Sequence, residues 1–261
     1  MHVLVFDSGV GGLSVLESVQ LLNPHLQYSY LFDNRYFPYG ELSEPELIER
    51  VCELVAVAVA KLQIDMVVIA CNSASTLALP KLRSQHAIPI VGVVPAIKLA
   101  ASMSQTGHFG ILATPGTVER QYTAQLIQDF AANCIVELIG STEMVVLAER
   151  KLAGEFIDSR AVHDIVASWL AMEDLDTVVL GCTHFPLLRD ELSQVLGEKV
   201  QLIDSGPAIA KRVQHLAGDC NRIVFDHKKA EVSAYCTLTS ANTGLVDQLT
   251  AYGINSLQLI D

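Results

Sequence analysis

The sequence is short of positive charge. Its 261 residues hold 17 Lys and Arg against 29 Asp and Glu, a formal net charge of −12. Binding a phosphate backbone by counterion release needs clustered cations. The same shortage argues against adhesion to anionic membrane surfaces. Neither nucleic acid nor membrane is expected as a partner. Long apolar runs are missing too. The longest, Leu54–Ala60, falls far below the roughly 20 residues that cross a bilayer. The start, Met1-His2-Val3-Leu4-Val5-Phe6-Asp7, reaches a carboxylate after four apolar residues. It lacks the basic start and longer apolar stretch of an export signal, so the expected location is the cytoplasm. The six cysteines, at 52, 71, 134, 182, 220 and 236, form no C-x-x-C pair. Closely spaced zinc ligation is therefore not expected. Nor is a disulfide framework, in a chain this long with no export signal. No Ser/Gly-rich linker divides the chain.

What is present is material for a large core. Hydrophobic residues make up 51% and charged residues 18%, a globular composition. Short apolar runs alternate with longer amphipathic ones. Strands are expected at Val3–Phe6, Tyr28–Phe32, Met66–Ala70, Ile90–Val93, His108–Leu112, Ile135–Leu138, Thr177–Leu180 and Gln201–Ile203. Helices are expected between them. In Glu44–Leu62, Leu47, Ile48, Val51, Leu54, Val55 and Ala58 recur at helical spacing. Further helices are expected at Gly12–Leu22, Ser73–Ser84 (its end blurred by Pro80), Thr117–Phe130, Pro186–Leu196 and Gly206–Leu216, with Pro95 opening another. Such alternation predicts parallel sheets covered by helices on both faces. The tail differs: Val232–Thr237 alternates, and a strand is expected at Ser256–Ile260.

An internal echo is more informative. Val67-Val68-Ile69-Ala70-Cys71-Asn72-Ser73 resembles Val178-Val179-Leu180-Gly181-Cys182-Thr183-His184, an offset of 111. The chain start echoes Phe109–Pro115 at an offset of 106. The expected fold is α/β, with two pseudo-symmetric open parallel-sheet domains. One spans 1–94 with 208–261, the other 95–207. The active site is expected in the cleft between them.

Open parallel sheets bind ligands at the carboxyl ends of their strands. Asp7-Ser8, Cys71, Thr114 and Cys182 each follow an expected strand directly. A helix about to begin offers unpaired N–H groups and partial positive charge, which lower a thiol's pKa. Tight packing where strand meets helix is the plain alternative for both thiols. A thiol on each face of one carbon suits inversion of a stereocentre: one removes a proton and the other returns one. The carbanion formed needs preorganised donors. Ser8, Asn72, Ser73 and Thr183 supply short hydrogen-bonding groups, although helix capping explains Ser8, Asn72 and Thr183 equally well. Asp7-Ser8-Gly9-Val10-Gly11-Gly12 is no dinucleotide fingerprint, since Ser14 stands where the third glycine belongs. Asp7 suits an ammonium or assists Cys71, unless it only forms a turn. His184, two residues past Cys182, tunes that thiol or simply starts a helix.

Four segments together resemble the glutamate racemase family, within the aspartate/glutamate racemase superfamily. They are Asp7–Ser14, Pro38-Tyr39-Gly40-Glu41, Ala70–Ser75 and Gly181–Leu188. The resemblance implies interconversion of L- and D-glutamate by two bases, without pyridoxal phosphate or metal, for bacterial cell-wall synthesis. It implies that Cys71 takes the proton from D-glutamate and Cys182 from L-glutamate. Asp7 and His184 would assist them respectively. It further implies substrate contacts by Asp7, Ser8, Tyr39, Gly40, Asn72, Ser73, Thr117, Thr183 and His184. Glu149 matches an acidic position near the second Cys. Ser73 replaces the family's usual Thr and keeps the hydroxyl. Some relatives are activated by a cell-wall precursor through an N-terminal extension. This chain starts at its first strand, so that regulation is not expected. A homodimer is one option for its assembly.

Three rivals stand beside this reading. A racemase for aspartate differs by one methylene, which a pocket discriminates by only about 1–3 kcal/mol. A thiol amidase would use Cys182 and His184 and leave Cys71 idle. A two-lobed periplasmic-type binding module would need an export signal.

Overall fold

The computed structural model describes residues 1–218, 231–239 and 247–260. Cys220 lies outside them. The chain divides into two compact units, Met1–Val93 with Gly206–Asp261, and Val94–Ser205. No described helix is long and apolar enough to cross a membrane.

The first unit holds strands β1 (His2–Asp7), β2 (Gln27–Phe32), β3 (Met66–Ile69) and β4 (Ile90–Gly92). The second holds β5 (His108–Ala113), β6 (Ile135–Gly140), β7 (Thr177–Leu180) and β8 (Gln201–Ile203). Strands β9 (Val232–Cys236) and β10 (Leu257–Leu259) return to the first. The sheet orders are β10-β9-β2-β1-β3-β4 and β6-β5-β7-β8. Every pairing is parallel. The order β2-β1-β3-β4 repeats as β6-β5-β7-β8, so the echo in the sequence is a repeat of topology. Strands β3, β5 and β7 are buried throughout, and β1 nearly so. This is why they read as continuous apolar runs rather than alternating ones. Strand β9, one from the sheet edge, alternates in burial, as its sequence does.

The helices include α1 (Leu13–Leu22), α2 (Glu44–Leu62), α3 (Asn72–Gln85), α4 (Ile97–Met103), α5 (Pro115–Val118), α6 (Gln121–Phe130), α7 (Glu143–Leu152), α8 (Ser159–Val166), α9 (Arg189–Leu196) and α10 (Gly206–Ala217). Helix α2 buries Leu47, Val51, Leu54, Val55 and Ala58, in one cluster with Leu4, Phe6, Val67 and Ile69. Each such Leu or Val contributes about 1.5–3 kcal/mol by leaving water. In the second unit Ile97, Phe109, Ile111, Val179 and Ile203 form the corresponding core. Asn23, at the end of α1, donates from Nδ2 to the Ala210 carbonyl at 3.1 Å and fastens α1 to α10.

Two expectations needed correction. Thr117–Phe130 is two helices, because Arg120 leaves the helical region with ψ of 141°. There Thr123 Oγ1 donates to the Thr117 carbonyl at 2.6 Å and seals the break. Helix α3, by contrast, runs unbroken through Pro80 to Gln85, close to the expected Ser73–Ser84. Pro186–Leu196 opens as a 3-10 turn, Phe185–Leu188, before α9.

Candidate active site

In the first unit, the carboxyl ends of β2, β1 and β3 lie side by side. The Asp33 N–H donates to the Asp7 carbonyl at 3.0 Å, and the Ala70 N–H to the Phe6 carbonyl at 2.7 Å. This ladder sets Asp33, Asp7-Ser8 and Cys71 along one sheet edge. Cys71 itself holds the N-cap position of α3, with φ −60° and ψ 119° and no side-chain cap bond. Asn72 and Ser73 are therefore first-turn residues, and capping does not account for them. Ser8 Oγ sits 3.7 Å from Cys71 Sγ. Asp7 is fully buried, and its Oδ1 accepts the Gly9 N–H at 3.0 Å. Asn72 is 6% exposed, yet its Oδ1 has no hydrogen-bond partner among the described residues. A buried acceptor left that way costs about 1–3 kcal/mol.

Gly12 is required here by close approach rather than by a turn. A Cβ on it would stand 2.7 Å from Asp7 Cβ and 2.9 Å from Tyr30 Oη. Gly12→Ala is expected to push the Asp7 side chain aside and destabilise the chain by about 1–3 kcal/mol. Denaturant unfolding of the variant beside the wild type measures this, and equal midpoints would refute it.

Tyr39 lies in a 3-10 turn, Tyr39–Glu41, after a cis Phe37–Pro38 peptide. It is buried with Cys71 in one apolar cluster. Its hydroxyl donates to Asp33 Oδ2 at 2.7 Å. Burial first, and the Asp33 carboxylate second, push the phenol far above its ordinary pKa, so Tyr39 stays neutral.

The second unit builds its counterpart. The Gly181 N–H donates to the Leu112 carbonyl at 2.7 Å and the Ser141 N–H to the Ala113 carbonyl at 2.9 Å. Cys182 thus follows β7 as Cys71 follows β3. Cys182 Sγ lies 3.8 Å from His184 Nδ1. His184 Nε2 lies 2.8 Å from Oε1 of Glu149, on α7. His184 is fully enclosed, and burial alone would depress its pKa. Its hydrogen bonds to Cys182 and Glu149, and its electrostatic attraction to both, outweigh burial and raise it to about 10. The imidazole is then a cation at neutral pH, donating from both nitrogens. Thr117 is buried and shares a 2.9 Å hydroxyl contact with Thr114.

The candidate residues thus collect at the strand ends of their own units. Asp7, Ser8, Tyr39, Gly40, Cys71, Asn72 and Ser73 belong to the first. Thr117, Glu149, Cys182, Thr183 and His184 belong to the second. Sequence reasoning missed Asp33, which is fully buried and accepts from Tyr39, Arg50 and Thr237. The available signal was a carboxylate placed directly after an expected strand, as Asp7 is. Among the described residues no cluster of His, Cys, Asp or Glu is arranged to hold a metal ion.

The family profile described as Asp/Glu/Hydantoin racemase matches residues 15–213. A glutamate racemase of Shewanella loihica is 51% identical over 255 residues, covering 98% of this chain and 94% of that protein. One of Serratia proteamaculans is 51% identical over 98% of this chain and 89% of its own. The crystal structure of Escherichia coli glutamate racemase, with L-glutamate and the activator UDP-MurNAc-ala, superposes with a TM-score of 0.92. It is 47% identical, over 99% of this chain and 97% of that one.

Proposed function

The chain belongs to the Asp/Glu/hydantoin racemase family, and from its two thiol half-sites we propose how it works: it interconverts L- and D-glutamate by two-base proton transfer at Cα, without a cofactor. The observation that carries the reading is the duplication. A cysteine follows the third strand of each of two sheets that repeat one topology. Inversion demands one acid–base group for each face of the carbon, and a repeated half-site supplies two.

In the L-to-D direction, the Cys182 thiolate removes the α-proton. The Cys71 thiol delivers its own proton to the opposite face. Cys182 ends as the thiol and Cys71 as the thiolate, the protonation state that turns over D-glutamate. Exchange with solvent resets the pair. The cationic His184 donates a hydrogen bond to the Cys182 sulfur, and Glu149 holds the imidazole in place. Asp7 serves the Cys71 side, where Ser8 also touches the sulfur. The difficulty lies in the carbanion, since an amino-acid Cα–H is far less acidic than a thiol. Fixed donors stabilise that developing charge. The opening N–H groups of α3, at Asn72 and Ser73, are such donors. Asn72 Oδ1 suits the substrate ammonium. Tyr39, Gly40, Thr117, Thr183 and His184 complete the substrate contacts. The product, D-glutamate, supplies peptidoglycan synthesis in the cytoplasm.

The test is to incubate the protein with L-glutamate in D2O. The D-glutamate formed is expected to carry deuterium at Cα, while the remaining L-glutamate stays protonated early on. That pattern follows because the base that removes the proton is not the acid that returns one. Absence of inversion and of deuterium uptake would reject the reading.

A further inference from the structure

Asp33 is a heavily engaged carboxylate of the first unit, and the proton transfers leave it without a task. It sits at the end of β2, fully buried. Its backbone N–H is bonded to the Asp7 carbonyl. Its side chain gathers three donors from three parts of the chain. Tyr39 Oη donates to Oδ2 at 2.7 Å. Arg50, on α2, grips both oxygens, Nε to Oδ2 at 2.8 Å and Nη2 to Oδ1 at 3.1 Å. Thr237 Oγ1, just past β9, donates to Oδ1 at 2.5 Å.

The surroundings tighten the same loop. The Arg50 guanidinium lies 4.7 Å over the Tyr36 ring. Asn34 Nδ2 donates to the Leu238 carbonyl at 2.7 Å, and the Leu238 N–H donates back to Asn34 Oδ1 at 2.9 Å. The Arg35 N–H donates to Thr237 Oγ1 at 3.2 Å. The segment from Asp33 to Tyr39 is thus pinned from below by Asp33, from α2 by Arg50 and from the carboxyl-terminal tail by Thr237 and Leu238. A bidentate guanidinium is a demanding partner that a lysine does not replace.

We propose that Asp33 is a positioning residue: with Arg50 and Thr237 it holds the phenol of Tyr39, and so the Tyr39-Gly40 backbone, in the geometry that meets the substrate beside Cys71. This inference rests on the function proposed above. The Asp33 carboxylate is taken up by Tyr39, Arg50 and Thr237, and it acts through Tyr39. Its loss is therefore felt in binding that the ground state and the transition state share, which is to say in KM more than in kcat.

The experiment is a double-mutant cycle on the full chain, read as KM and kcat for both enantiomers. Asp33→Asn is expected to raise both KM values about tenfold, the worth of roughly one hydrogen bond to a charged substrate made equally in ground and transition states. Tyr39→Phe is expected to move KM the same way. Adding Asp33→Asn to Tyr39→Phe is expected to raise KM by much less, because the path through the phenol is already cut. Arg50→Lys should recover part of what Arg50→Gln loses. Thr237→Val, which keeps its shape and removes only the hydroxyl, should show a smaller KM rise, and it carries the test if Asp33→Asn does not fold. A merely structural role would lower the melting temperature and leave KM unchanged; that result, or full additivity with Tyr39→Phe, overturns the inference. If the wild-type chain does not invert glutamate in D2O, the proposed function falls and takes this inference with it. If it does, unchanged KM values overturn the inference alone.

Discussion

Replacing Cys71 or Cys182 singly with alanine is expected to lower inversion of glutamate about a thousandfold or more, the upper range for removing a general acid–base group. Both directions must fail together in each variant. Each thiol is the base in one direction and the acid in the other, so neither direction survives the loss of either. Folding should survive. The two side chains are small, at 6% and 8% exposure, and truncating them removes one atom each. A melting curve near the wild type would place the loss in chemistry. Isotope exchange separates the half-sites further. Cys182→Ala retains Cys71, which still removes and returns the α-proton on its own face. D-glutamate should then exchange slowly with D2O while keeping its configuration. Cys71→Ala should do the same for L-glutamate. A thiol amidase predicts otherwise: only the Cys182 change would matter, and no α-exchange would be seen in either variant. Full activity in Cys71→Ala would overturn the two-base reading.

The half-sites were legible in the sequence because each is local. A run such as Val67–Cys71 contains its strand, its small residue and its thiol within five positions. The doubly buried strands left continuous apolar runs, and the repeat of Cys71 at Cys182 marked the second half-site. What the sequence did not yield was long-range or irregular. Asp33 draws its meaning from Thr237, 204 positions away, and no spacing rule connects the two. Glu149 was flagged only by resemblance; its contact with His184 depends on how α7 packs against the Phe185–Leu188 turn. The break at Arg120 escaped for another reason. Apolar periodicity continues on either side of it, and one residue leaving the helical region barely changes the period. Capping, the ordinary reading of Asn72, gave way because Cys71 occupies the cap position one residue earlier.

Replacing His184 with glutamine is the other change with a large expected effect. Gln keeps hydrogen-bonding capacity and loses the positive charge. The kcat of inversion is expected to fall about a hundredfold. Enantiomers have equal free energy in water, so kcat/KM must fall equally in both directions, and the ratio of the two carries no information. The primary isotope effect does. In the variant, transfer at Cys182 becomes the slow step. α-Deuterated L-glutamate, whose deuteron Cys182 removes, should show a larger isotope effect than in the wild type. α-Deuterated D-glutamate, whose deuteron goes to Cys71, should show a smaller one. Equal effects on both substrates would detach His184 from Cys182. Stability gives an independent reading with a definite sign. The folded chain holds the His184 proton to about pH 10, whereas an unfolded histidine releases it near 6.5. The stabilisation from this cation is complete below about pH 6.5 and is lost as pH rises towards 10. The gap in melting temperature between wild type and His184→Gln should therefore narrow across that window. A gap that stays constant or widens with rising pH would mean that His184 is not held as a cation between Cys182 and Glu149.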